Sequence, residues 1–315
     1  NILPFSRSAL KSWKYVLPIL NASLGAGEDG GVEKFITDNV STSENIIVTG
    51  ELTVSQANSL SDLTTGSAKV IAQMSSNNPT DLVGLNPNSS AGVDNTLFIT
   101  VGSAGITTAT AANLNTINAA TTQNIDIDSN LATVTGDAST LKTTFDANSE
   151  FTGLTGAVAV VDSTTESASN IDALVGSNPS KIDISAVTTL TGSITEVNAY
   201  TSAINNAKFS GAATNGSSGA QGTNVTTVRL DSITNLDASD LHTAKDNFRT
   251  DVNNTAVFDL QNVTTLLDNF SALNDVIVDS AHFTNLDTRA ITANDATITV
   301  DNANTLSAAT TAKVT

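Results

Sequence analysis

From about residue 45 the apolar positions follow two alternating rhythms. Short runs dense in β-branched residues, bounded by Asp, Asn, Ser or Gly, occur at 46–48, 97–101, 158–161, 181–184, 276–278 and 296–300. Such runs predict strands. Between them, apolar residues recur at intervals of three and four. In 193–205 the predicted buried stripe is Ile194, Val197, Ala203 and Ile204, and in 238–248 it is Leu241, Ala244 and Phe248. That spacing predicts short helices. A Ser, Thr or Asp usually opens these stretches and can accept a bond from the first free helix amides.

One phrase recurs: Asn-Ser/Thr-Leu/Ile-Ser/Asn-x-x-Thr-Thr, beginning at Asn58, Asn115 and Asn304. The separations are near multiples of about 27 to 29 residues, a length typical of stacked repeats. Degenerate copies are expected at Ser139-Thr140-Leu141, Asn170 to Leu174, Glu196 to Tyr200, Ser239-Asp240-Leu241 and Val263 to Leu266. Runs at 76–92 and 211–222, rich in Asn, Ser, Gly and Pro, read as loop insertions.

Alternating strand and helix implies parallel strands joined by crossovers. The expected fold is therefore α/β: an elongated repeat solenoid of short parallel strands and short helices over 45–315. A distinct N-terminal helical segment over 1–44 would cap or dock it. A pair of β-rich domains with short helices is the alternative architecture. In the N-terminal segment Leu10, Trp13, Leu17 and Leu20 fall near one helical face, opposite Arg7, Lys11 and Lys14. Those four apolar residues are the candidate partner-docking face. The chain ends on Ala312-Lys313-Val314-Thr315, where a repeat's strand should begin, so a further stretch of polypeptide or another subunit is expected to cover that end.

Composition narrows the function. Only 14% of residues are charged and 4% aromatic, against about 25% charged in an average soluble protein. Thr, Ser, Asn and Ala fill the difference, and a core of small residues suits narrow stacked coils better than a wide globular centre. The net charge of −18 repels phosphate backbones and argues against nucleic-acid binding. No cysteine is present, which removes disulfides and thiolate chemistry. No apolar run approaches the length of a membrane span.

The phrase at 54–66 and its partner at 300–311 resemble the Thr/Asn/Ala-rich repeats of very large bacterial surface proteins of the marine cyanobacterial type and of related phage structural proteins. The resemblance implies surface layers, sheaths, filaments, adhesins or virion fibres, and an extracellular or virion location. It carries no catalytic residues.

The search for chemistry yields little. His242 and His282 are the only imidazoles, and neither sits in a metalloprotease spacing. No nucleophile elbow, phosphate-binding loop or dinucleotide fingerprint occurs. The chain is therefore expected not to be an enzyme. Calcium is the best ligand hypothesis, because Asp residues flank the predicted strand ends. In Asp126-Ile127-Asp128, strand alternation would put both carboxylates on one face, making Asp126 and Asp128 the candidate calcium ligands; the plainer reading is that such residues end strands through side-chain turns.

The expected function is a structural subunit of an extracellular assembly that partners with copies of itself, with surface polysaccharide as a further partner. The alternative is a virion appendage whose shaft is the repeat array and whose anchor is residues 1–40.

Overall fold

The structure is a computed structural model; it describes residues 45–65, 67–87, 94–204, 209 and 224–315. The N-terminal segment, with Leu10, Trp13, Leu17 and Leu20, lies outside the described residues, as does the expected loop at 211–222. The architecture is mixed α/β, and its sheets are parallel.

Helix starts set the rhythm of the chain. The helices are α1 (Val54–Leu63), α2 (Pro79–Leu82), α3 (Ala111–Asn118), α4 (Ala138–Asp146), α5 (Ala168–Gly176), α6 (Ile194–Ala203), α7 (Ala238–Asp251), α8 (Phe270–Val278) and α9 (Val300–Ala309). Thr53, Asn78, Thr110, Asp137, Ser193, Asp237, Asn269 and Thr299 each accept a bond from an amide in the first helical turn. Caps of this kind contribute about 1 kcal/mol each. Thr53 with Gln56 and Ser193 with Glu196 add the reciprocal side-chain bond of a capping box. From Thr110 the residues preceding successive helices fall at 110, 137, 167, 193, 237, 269 and 299, steps of 27, 30, 26, 44, 32 and 30 residues. The long step contains the undescribed stretch after Ile204. Here "coil" denotes the chain from one helix start to the next.

The chain divides into two units. The first takes in the described chain up to Val134 together with Asp146–Ala157. Its sheets are β1 (Ile46–Leu52), β2 (Val70–Met74) and β3 (Thr96–Phe98) in that order, and β4 (Thr100–Val101), β6 (Ile125–Ile127) and β8 (Phe151–Thr152) in that order. Ile46 pairs with Val70, Ile71 with Thr96, Thr100 with Asp126 and Ile125 with Phe151. Partners are thus one coil apart in sequence. The inward residues, among them Leu60, Val101, Leu114, Ile117 and Ile125, are fully buried. At about 1.5–3 kcal/mol per fully buried aliphatic side chain, this thin core is the main stabilising term.

The first unit also contains β5 (Thr108–Thr110), and β7 (Thr133–Gly136) runs over its edge. After β8, Gly153 adopts φ +90°, and a Cβ there would lie 2.8 Å from the Ile127 carbonyl oxygen, so the turn requires glycine.

The second unit comprises Thr135–Phe145 and Val158–Thr315. Here β9 (Val158–Val161) pairs with β11 (Lys181–Asp183). A five-stranded sheet runs β10 (Thr165–Ser167), β12 (Thr189–Gly192), β13 (Thr227–Leu230), β15 (Val257–Asp259) and β17 (Phe283–Thr284). A further sheet runs β14 (Ile233–Asp237), β16 (Val263–Asp268) and β18 (Ala290–Ala293), extended by a parallel bridge from Ile291 to Val314. Tyr200, Phe248, Phe258 and Phe283 form a row of rings, the first pair stacked and the next two edge-on, with centroids 6.0, 5.9 and 6.4 Å apart. Among the described residues the buried Tyr200 hydroxyl has no hydrogen-bond partner, and burial pushes its pKa up.

Several expectations need correction. Residues 276–278 finish α8 and 296–300 lead into α9, so neither run is a strand. β-branched content misled there, because the Asn269 and Thr299 caps start helices first. Val263 to Leu266 is strand, not a helical copy of the repeated phrase. Leu141 and Leu241 sit four residues after their caps, whereas the phrase places its Leu seven after, as in Leu60, Ile117 and Leu306. In 76–92 the described part holds α2, whose cap Asn78 follows Thr53 by 25 residues; a coil element stands where a bare loop was expected. Ile194 is only half-buried, and α6 buries Val197, Tyr200 and Thr201 instead.

Candidate functional site

The densest group of ionisable side chains among the described residues joins α7 to the turn after α8. Helical spacing puts His242, Lys245 and Asp246 on adjoining surface of α7, and Asp279 arrives at the end of α8. His242 Nε2 lies 3.0 Å from Asp279 Oδ2, and Nδ1 lies 3.4 Å from Asp246 Oδ2. The Lys245 ammonium donates to Asp246 Oδ1 at 2.6 Å and to Asp279 Oδ2, and lies 3.4 Å from His242 Nε2. Only 3% of the Lys245 side chain is exposed. Burial alone would lower its pKa, but the bonds and charges of Asp246 and Asp279 outweigh that, and the amine is held above its ordinary value. Reciprocally, the bond from Lys245 leads the causes that hold the Asp279 carboxyl below the usual range.

His242, Asp246 and Asp279 offer ligand atoms within 4.8 Å of one another, which is metal-like spacing. The ammonium of Lys245 touches all three residues, however. A divalent ion would have to expel a buried cation that already neutralises the carboxylates. The residues therefore fit an ionic clip between two coils better than a metal centre. Sequence reading treated His242 as an isolated imidazole. The His-x-x-Lys-Asp spacing on one helix was visible, but its partner Asp279 comes from the next coil.

A second polar junction centres on Asp259. Its carboxylate accepts from the Gln261 amide at 3.0 Å, Asn285 Nδ2 at 2.8 Å and Arg229 Nε at 3.3 Å. Burial pushes its pKa up, but these bonds and the Arg229 charge prevail and hold it low. Arg229 and Asn285 belong to the strands or turns on either side, so one carboxylate ties three successive coils.

Asp126 and Asp128 have different surroundings. Asp126 points outward from β6, between buried Ile125 and Ile127. Asp128 lies one residue past the strand and accepts from both the amide and the side-chain nitrogen of Asn130, at 2.8 and 2.6 Å; the amide bond comes first among the causes that lower its pKa. Asp183 and Asp259 accept the amide two residues onward in the same way. Side-chain turns thus recur at strand ends. The set of three metal-competent residues found among the described residues includes neither Asp126 nor Asp128.

A shallow depression of about 640 Å³ lies between α8 and α9, lined by residues including Ile277, Phe283, Leu286 and Ala308. Among the described residues Asp287 is the one carboxylate on its wall, and the cluster of His242, Asp246 and Asp279 lies elsewhere.

No helix among the described residues is long and apolar enough to cross a membrane. No protein-family model, curated protein or solved structure significantly matches this chain.

Proposed function

We propose that the chain is a structural subunit of an extracellular assembly such as a surface layer, sheath or filament, built as a solenoid whose coils stack and whose ends or sides associate. The observation that supports this reading is the direction of its polar side chains. They bond from one coil to the next rather than converging on a cleft. Asn58 Nδ2 donates to the Gly84 carbonyl and its Oδ1 accepts from the Asn86 amide. Thr121 Oγ1 accepts from the Leu97 amide and donates to the Leu97 carbonyl. Asn253 donates to the Val225 carbonyl, and Asn262 to that of Leu230. Bonds of this kind resist sliding and separation of neighbouring coils, a mechanical property of use in a load-bearing array.

Calcium belongs to the same proposal. At an acidic surface it would lower repulsion between copies, with Asp126 and Asp128 as its first ligands. The test is electron microscopy of the purified chain with calcium and then with a chelator, run beside D126N/D128N. Ordered filaments or sheets that dissolve on chelation, and that the double variant fails to form, are expected. A monodisperse monomer under every divalent condition refutes self-assembly. Assembly indifferent to chelator and to the double variant removes calcium and leaves the subunit role.

A further inference from the structure

The four side chains of the α7–α8 clip stand as the parts of an acyl-transfer site. Such a reaction needs a nucleophile, an electrophilic carbonyl carbon, and a base that reaches both the attacking atom and the leaving one. Lys245 Nζ is in contact with Asp279 Oδ2, so an amine meets a carboxyl group across 34 residues of chain. His242 Nε2 lies 3.4 Å from that nitrogen and 3.0 Å from that oxygen. One imidazole nitrogen thus stands between the atom that must lose protons and the atom that must gain them. The other, Nδ1, faces Asp246 Oδ2 at 3.4 Å, and a carboxylate in that place orients a catalytic imidazole.

We propose that Lys245 and Asp279 condense to an amide, a covalent cross-link between the α7 and α8 coils. The Nζ lone pair attacks Asp279 Cγ; the Nζ–Cγ bond forms and the Cγ–Oδ2 bond breaks. Of the three ammonium protons, one stays on the amide nitrogen and two depart with Oδ2 as water. His242 Nε2 carries those two from nitrogen to oxygen, one at a time. An ion pair thus becomes a neutral amide and one water, with no net proton uptake and no co-reactant.

The fold favours the product. Groups held in contact react with effective molarities of about 10⁵–10⁸ M, which offsets the competition of bulk water. The Lys245 side chain is 3% exposed and that of Asp279 33%, so the nucleophile is sheltered while the released water has a way out. The carboxylates that hold Lys245 protonated keep the free amine scarce and make the step slow. The chain therefore starts with the ionic clip and acquires the amide on standing.

Asp246 also touches the ammonium, through Oδ1 at 2.6 Å, but its Oδ2 faces Nδ1, away from the relay nitrogen. A bond to it would close only a local ring between adjacent residues. A bond to Asp279 closes a loop from α7 to the turn after α8 and removes that loop's freedom from the unfolded chain. In a chain without cysteine, it does the work of a disulfide. The cross-link is one reaction of the chain on itself, and it does not depend on whether copies assemble.

The test is mass spectrometry of the purified full chain, sampled over days at neutral pH, as wild type, K245R and H242Q, with circular dichroism to check that the variants fold. The wild type should lose the mass of one water. A cyclised aspartate loses the same mass, so a tryptic digest decides: cleavage after Lys245 should fail, and a branched species should join 230–249 to 250–289. K245R keeps a cation but offers no amine to acylate, and should form no branch. H242Q should form it at least tenfold more slowly. A wild type that keeps its full mass, or that loses water without the branched species, overturns the cross-link. A branch that forms as fast in H242Q overturns the relay through His242.

Discussion

Replacing Lys245 with Met keeps most of the side-chain volume and deletes the charge at the centre of the α7–α8 clip. The size of the effect follows from the environment. A fully buried pair that loses one partner costs about 3–5 kcal/mol, and an exposed pair about 0.2–1 kcal/mol. Lys245 is buried, but the Asp279 and Asp246 side chains are 33% and 55% exposed, so water screens the orphaned carboxylates. Two charge-assisted bonds in such a setting suggest a loss of about 1.5–3 kcal/mol near neutral pH.

The pH dependence carries the sharper test. Asp279 has a depressed pKa in the fold, so its contribution is present above the unfolded carboxylate value and fades as pH falls through the folded one. The raised pKa of Lys245 keeps its contribution in place until the alkaline range. The deficit of K245M should therefore be flat around neutrality and shrink below about pH 3, where carboxylates protonate. In acid Met should match Lys or exceed it, because the wild type then buries an ammonium without anionic partners. Urea unfolding of both proteins, followed by circular dichroism at neutral and acid pH, measures the difference. A deficit of equal size at both pH values would mean that Lys245 acts through packing alone and would refute the ionic clip.

Three other substitutions probe the frame. Phe258→Ala removes the ring that meets Phe248 and Phe283 edge-on; thermal or urea unfolding should show a loss of about 3–5 kcal/mol, and a loss under about 1 kcal/mol would contradict the packing. Gly153→Ala puts a methyl against the Ile127 carbonyl at a positive φ and should destabilise by about 1–3 kcal/mol in the same assay, whereas an unchanged midpoint would mean the turn is built differently. Tyr200→Phe deletes a buried hydroxyl that has no partner among the described residues, and should be neutral or stabilising by up to about 1–3 kcal/mol. A clear loss of stability would show that the hydroxyl is bonded.

The sequence by itself determined the local half of this protein. Caps such as Thr53, Ser193 and Thr299 act through amides within a few residues of themselves, so the start of each helix is written next to the helix it starts. The repeated phrase put Asn58, Asn115 and Asn304 at one helical position and made Leu60, Ile117 and Leu306 core residues, because helical period and burial are both short-range properties. The strand turns were legible on the same ground: Asp128 and Asp183 close onto amides two residues away.

What the tertiary structure decided lies between coils. Asp279 completes the clip with His242 and Lys245 across 37 and 34 residues, and Asp259 gathers Arg229 and Asn285 across 30 and 26. Coils vary in length, from 25 residues between Thr53 and Asn78 to 32 between Asp237 and Asn269. A fixed period read from the sequence therefore could not say which residue of one coil faces which of the next. The same ambiguity misassigned 276–278 and 296–300, whose β-branched residues suit a strand locally but lie in or beside helices that their caps start first. Register between coils is a collective outcome of packing, and it is the register that turns scattered polar residues into sites.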